Sequence, residues 1–416
     1  MNFAIDTLVA KLLFILFVLA AVFQNILSMF LADSGPLVSL GILAMKDLML
    51  YVIIGLWFLF IFSRWKIDVL SGLSVVLVIS LFFYSVSVRD VNVMSFRQLL
   101  IIPLSVVMGR VLYVSGIGFN FLFKTIIFSS FFVMITGYVE LLFLYDASEA
   151  FWNAAGVEKW MIIKGFDKWS DPDLNVSLSY YSYDLYYLLG ERIRRMASIL
   201  GEPTIFGQLM PLPAFYFYLK RNYLLSFMFV LAIALSLSKG GLFVLFAAVA
   251  IKYYYSSTNA AKIAVAISSI FIIVTISYLF LYLYPVQSII NHVSGAKDSL
   301  IVMLSNPFGL GVGVSGNYYN LSTQYSDMMP GESYFGLIVA QFGLVGFLLI
   351  VLYLFKVTPL RQLPYLDRER SSVLLIVAAT WFAAIFSESA ITYTGSVMLI
   401  SVSTFVAYQI KSKRVV

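Results

Sequence analysis

The sequence predicts an all-α, polytopic membrane protein, and three observations carry that reading. Of 416 residues, 61% are hydrophobic and 12% are charged, where a soluble domain has about 45 to 50% apolar and about 25% charged residues. Mean hydropathy is +0.94. The apolar residues also gather into runs near the length of about 20 residues that crosses a bilayer as a helix. One integral membrane domain over 1–416 is expected.

Taken in order, spans are expected near Thr7 to Leu31, Leu40 to Phe62, Val69 to Val86, Leu99 to Val114, Phe119 to Phe143 and Ile205 to Leu219. Six more follow near Tyr223 to Ser236, Gly241 to Tyr255, Ile263 to Leu283, Tyr334 to Phe355, Val373 to Phe386 and Ser396 to Ile410, which makes twelve. The first is expected to be an uncleaved helix, because its apolar run is too long for a signal-peptide core and no small-residue cleavage site follows.

Charge placement gives the orientation. With both termini inside, sixteen basic and four acidic residues lie inward against eleven and seventeen outward, +12 against −6 within a net charge of +6. That is the asymmetry of the positive-inside rule. Nearly all the non-membrane mass then lies outside, in loops 145–203 and 285–333. The first holds Trp152, Trp160, Trp169 and the cluster Tyr180, Tyr181, Tyr183, Tyr186 and Tyr187, which reads as an interfacial amphipathic helix or a stacking platform for sugar rings. The second is rich in Gly, Asn and Ser. No internal repeat is evident, which disfavours a transporter built from pseudo-symmetric halves.

Composition removes several chemistries. There is no cysteine and a single histidine, His292, so disulfides, thiolate zinc sites, iron-sulfur clusters and histidine-built metal or haem sites are not expected. The positive charge reports orientation rather than nucleic-acid binding. No cofactor is expected.

The candidate residues are cations at the outer face. Arg192, Arg194 and Arg195 form a basic helix turn before Gly201, Glu202, Pro203 and Gly207, and three guanidinium groups together make an anion site. Snorkelling to lipid phosphates, or pairing with Asp184 and Glu191, is the plainer role. Lys239 sits in the tight turn Ser236-Leu237-Ser238-Lys239-Gly240-Gly241, whose small residues allow a backbone or a phosphate to approach closely. Lys297 precedes an amphipathic stretch and then Asn306-Pro307-Phe308-Gly309-Leu310-Gly311-Val312-Gly313, whose glycines can expose amide donors to an anion. Glu332 lies at the mouth of the tenth span, as a helix cap or as a base. His292 is a satisfied polar contact or an alternative base.

Four of these segments, in this order, resemble the superfamily of bacterial O-antigen polymerases and O-antigen ligases. They are Arg195 with Gly201-Glu202-Pro203 and Gly207; Ser236, Ser238-Lys239-Gly240-Gly241; Asn306-Pro307 with Gly309, Gly311 and Gly313; and Glu332-Ser333 opening a span with Gly343-Leu344-Val345-Gly346. The resemblance covers roughly the second half of the chain. It implies a metal-independent membrane glycosyltransferase of the GT-C type in the bacterial inner membrane, its active site facing the periplasm. Its substrates would be oligosaccharides on undecaprenyl pyrophosphate, and its pathway partners a flippase and a chain-length regulator. Arg192, Arg194, Arg195, Lys239 and Lys297 would bind the pyrophosphate, with Arg195, Lys297, Glu332 and His292 as the catalytic candidates. Two departures matter. Lys239 and Lys297 stand where the family usually or often has Arg. Glu332 stands where the ligase branch typically has histidine, which favours polymerase over ligase. The alternative from another class is a polysaccharide-unit flippase or other transporter.

Overall fold

The computed structural model describes residues 2–43, 45, 49, 52, 69–88, 93–143, 145–163, 181–182, 190, 193–265, 267–268, 287–314, 333–385, 387, 389–392 and 394–413. Among these residues there are helices and no β-strand, only an isolated antiparallel bridge between Tyr181 and Arg194. Among the described residues three helical stretches, Thr7–Phe30, Phe119–Phe143 and Tyr334–Tyr365, are long and apolar enough by length and composition to cross a membrane, the third bent at Gly343. The expected second and ninth spans fall largely outside the described residues.

The helix Phe119–Phe143 illustrates why these segments suit lipid. Leu122, Ile126 and Val133 are buried in the protein while Phe128, Ile135 and Leu142 are exposed, so the helix is apolar on every side. Its hydroxyls are bonded: Ser130 Oγ donates to Ile126 O at 2.9 Å and Ser129 Oγ to Thr125 O at 2.7 Å within the helix, while Tyr138 Oη donates to Met228 O at 2.6 Å on another. An unbonded hydroxyl in hydrocarbon would be far more costly.

Backbone proximity divides the chain into two compact units. One comprises Met1–Phe60 and Val111–Leu242, the other Ile61–Arg110 and Phe243–Val416. In the first, the helices Tyr145–Ala154 and Val157–Ile163 bury Trp152 and Trp160 in a cluster with Met29, Ala32 and Ala197. The indoles of Trp152 and Trp160 thus belong to a packed core, and Trp169 lies outside the described residues. Tyr181 takes part in the bridge to Arg194 rather than in the amphipathic helix expected there, and Tyr180, Tyr183, Tyr186 and Tyr187 lie outside the described residues.

Two expected spans are not single unbroken helices. The sixth consists of Pro203–Leu209 and Pro211–Leu219, interrupted at Met210. Pro211 and Pro213 supply no N–H to the preceding turn, so the carbonyls of Gly207 and Leu209 lose their helical partners.

The tenth, Tyr334–Val357, turns at Gly343, whose φ of 60° and ψ of −141° are not helical. This is the conformation of the first central residue of a type II′ turn, which favours glycine. The turn is sharp. Phe335 and Phe347 would be about 18 Å apart along a straight helix, yet their ring centroids lie 5.6 Å apart, edge to face. A side chain on Gly346 would press against Ile338 and Phe342.

Candidate functional site

The four resembling segments form two pairs, one in each unit. In the first unit, the Arg195–Gly207 segment lies directly on the Ser236–Gly241 turn. A Cβ on Gly207 would overlap Ser238, and one on Gly241 would overlap Gly207 O, the carbonyl left without its helical partner by Pro211. The small residues are therefore required by backbone against backbone.

Arg195 joins the pair through its side chain. Its Nε donates to Ser236 O at 2.9 Å and its Nη2 to Thr204 Oγ1 at 3.4 Å, while Met196 N donates to Leu235 O at 3.0 Å. The half-buried guanidinium is thereby held against the turn that carries Lys239, three residues beyond Ser236. Lys239 is exposed and is the first residue of the helix Lys239–Ser256, whose start Ser238 caps by accepting from Gly241 N at 3.2 Å. A cation at a helix N-terminus opposes the helix dipole. A bound anion there would relieve both charges.

Backbone strain marks the same place. Non-glycine residues with positive φ among the described residues are Ser198 at 57°, Arg221 at 60° and Leu237 at 50°. Two of the three flank Arg195 and Lys239. Such conformations cost about 1–3 kcal/mol each and persist where surrounding contacts enforce them.

The enforcing group near Ser198 is Glu140, which belongs to none of the sequence motifs. Its Oε2 accepts from Ser198 N at 2.6 Å and Ala197 N at 3.2 Å. Its Oε1 accepts from Trp152 Nε1 at 2.9 Å and Arg194 Nη2 at 3.4 Å. Glu140 is 7% exposed and Arg194 6%, so this is a buried ion pair, whose disruption from one side typically costs about 3 to 5 kcal/mol. A lone carboxylate near the end of an apolar span was the available signal.

This corrects two readings of the arginine run. The segment is not a helix turn here, since Arg194 pairs with Tyr181 in the bridge and Ser182 N donates to Ile193 O at 3.0 Å. Arg194 also turns inward onto Glu140, so it serves packing rather than anion binding. Arg192, with Asp184 and Glu191, lies outside the described residues.

In the second unit, the glycine segment embraces the bend at Gly343. Leu310 N donates to Ala340 O at 2.9 Å, Gly311 N to Gln341 O at 3.1 Å, and Leu344 N to Pro307 O at 2.7 Å. Val312 N donates to Ser85 Oγ at 2.9 Å and Gly313 N to Gln341 Oε1 at 3.3 Å. The amides expected to cradle an anion are bonded within the protein, those of Leu310, Gly311 and Gly313 to the bent helix and that of Val312 to Ser85, which corrects that expectation. Glycine is needed because a Cβ on Gly309 would overlap Gln341 O, and one on Gly343 would overlap Pro307 O.

Lys297 is exposed on the helix Gln287–Ser305. Two residues later Ser299 is buried against Gly336, so this helix packs beside the start of Tyr334–Val357. That start is capped by Ser333, whose hydroxyl accepts from Gly336 N at 2.9 Å and donates to Ile385 O at 2.6 Å. The capping role considered for Glu332 therefore belongs to its neighbour. Glu332 itself lies outside the described residues, and His292 lies on the helix Gln287–Ser305 with its side chain outside them.

No protein-family model, no curated protein and no solved structure matches the chain. The described residues are those of a helical membrane protein, in which Arg195 is bonded to the turn that carries Lys239.

Proposed function

We propose that this chain is a surface-polysaccharide polymerase of the O-antigen polymerase type, with twelve spans and a GT-C architecture in the bacterial inner membrane. The observation that carries the reading is the Arg195 guanidinium fixed to the Ser236 carbonyl of the turn that presents Lys239. Two cations are thus held on adjoining backbone.

In the reaction, the bond between the anomeric carbon of the growing glycan and its phosphate oxygen breaks. A new bond forms from that carbon to a hydroxyl of an incoming lipid-linked unit, whose proton passes to a base. Undecaprenyl pyrophosphate leaves with the bonding electron pair. Charge develops on the leaving phosphate, and Arg195 and Lys239 stabilise it, each charge-assisted hydrogen bond contributing about 1.5 to 3 kcal/mol. The resemblance adds Lys297 and Arg192 as further anion ligands on the strength of the sequence alone, and Arg194 is left out. Glu332 orients or deprotonates the acceptor hydroxyl, with His292 as the alternative base. No divalent metal takes part, because the protein's cations neutralise the leaving group.

A transporter is the second reading, and the bend at Gly343 and the prolines at Pro211 and Pro213 favour it, since broken helices often line cargo sites. Against it, the amide of Leu344 and the carbonyls of Ala340 and Gln341 at the bend are bonded to the glycine segment rather than presented to a cargo.

Two experiments test the proposal. Reporter fusions near Trp160 and near Tyr318 should both read periplasmic, and a cytoplasmic signal from either would overturn the site. Purified protein supplied with lipid-linked repeat units should release undecaprenyl pyrophosphate as glycans lengthen. Lipid-linked units moved across vesicles without lengthening would favour the transporter.

A further inference from the structure

We infer that Glu140 is the positioning residue for the anion site, setting the place of Arg195 through the backbone on either side of it. This rests on the reading of Arg195 as a ligand for the leaving pyrophosphate. The carboxylate grips the Arg195 segment on both flanks: Arg194 Nη2 before it, and the N–H groups of Ala197 and Ser198 after it. Trp152 Nε1 donates to Oε1 at 2.9 Å and steadies the carboxylate from the first loop.

Both flanks have to be held for Arg195 to point where it does. Ser198 has φ 57°, and its hydroxyl donates to Val133 O at 2.7 Å and meets Thr136 Oγ1 at 2.7 Å. With Arg194 directed inward, its neighbour Arg195 is directed to the Ser236 carbonyl, as alternate side chains of an extended segment take opposite sides. Release of Glu140 frees the Arg194 and Ser198 ends together, and the guanidinium loses its fixed plane against the Lys239 turn. Glu140 touches no substrate in this account.

The test uses purified full-length protein in detergent and inorganic pyrophosphate as the probe, titrated calorimetrically, with thermal unfolding as a check on folding. The variants are Glu140→Gln, Arg195→Lys and the two combined. If Glu140→Gln does not purify folded, Trp152→Phe replaces it, removing one donor to the carboxylate and leaving both charges in place. Glu140→Gln and Arg195→Lys should each weaken binding about tenfold, and the combination should be no weaker than Arg195→Lys, because residues that act as one unit are not additive. Multiplied losses in the combination would make Glu140 a structural residue and overturn the inference. Wild-type affinity in Glu140→Gln, beside weakened Arg195→Lys, would overturn it while leaving the anion site intact. Unweakened binding in Arg195→Lys and also in Arg195→Ala, or no binding by the unmodified protein, would overturn the anion site and this role with it.

Discussion

Arg195→Ala and Lys239→Ala should each reduce polymerisation by about 10²- to 10³-fold, the scale seen when one preorganised donor to a developing charge is removed. The protein should remain inserted and folded. Arg195 is half-buried and bonded to Ser236 O and Thr204 Oγ1, and Lys239 is exposed. Removing the guanidinium donor costs about 1 to 3 kcal/mol for each acceptor left unsatisfied. Lys239→Arg should retain most of the activity, since the charge survives and gains a planar fork. Arg195→Lys should retain less, because a point charge cannot hold both the Ser236 carbonyl and a ligand in one plane. Rates of glycan lengthening, compared at matched amounts of folded protein, check this, and near-normal rates in both alanine variants would end the anion-site account.

Gly343→Ala should damage the fold severely. Its φ of 60° and ψ of −141° are strained for a residue with a side chain, at about 1–3 kcal/mol. Its Cβ would overlap the Pro307 carbonyl, a backbone atom that cannot swing aside as a side chain would. Overpacking adds about 1–3 kcal/mol. Moving Pro307 also breaks its bond from Leu344 N and disturbs those from Leu310 N and Gly311 N. Against a total stability of about 5–15 kcal/mol, the sum is a large fraction. Gly118→Ala is the control, since a Cβ there meets nothing within 4 Å. Folded yield and thermal unfolding should fall sharply for Gly343→Ala and stay unchanged for Gly118→Ala.

The helices were legible because apolar composition is a local property: Phe119–Phe143 is expected and found with the same ends. The bend at Gly343 was not legible. A glycine says that something comes close or that the backbone turns, and only the tertiary arrangement shows that Pro307 is what comes close. For the same reason the glycines of Asn306–Gly313 suggested an anion cradle, while their neighbouring amides serve the broken helix.

At the site, three arginines close together looked alike in sequence. Arg194 and Arg195 differ only through neighbours remote in the chain: Glu140, 54 residues away from Arg194, and Ser236, 41 residues from Arg195. Glu140 belongs to no motif, although an ionisable group within an apolar span is costly unless it is bonded. The pairing of the first motif with the second, and of the third with the fourth, also depends on backbone approach that no single segment encodes.

The most direct measurement is glycan length after purified protein is incubated with one defined lipid-linked repeat unit in excess chelator. A ladder of products, each longer by one unit and still carried on undecaprenyl pyrophosphate, with one carrier released per bond formed, is the expected result. Repeat units that stay at their starting length, with or without added magnesium or manganese, would contradict the account.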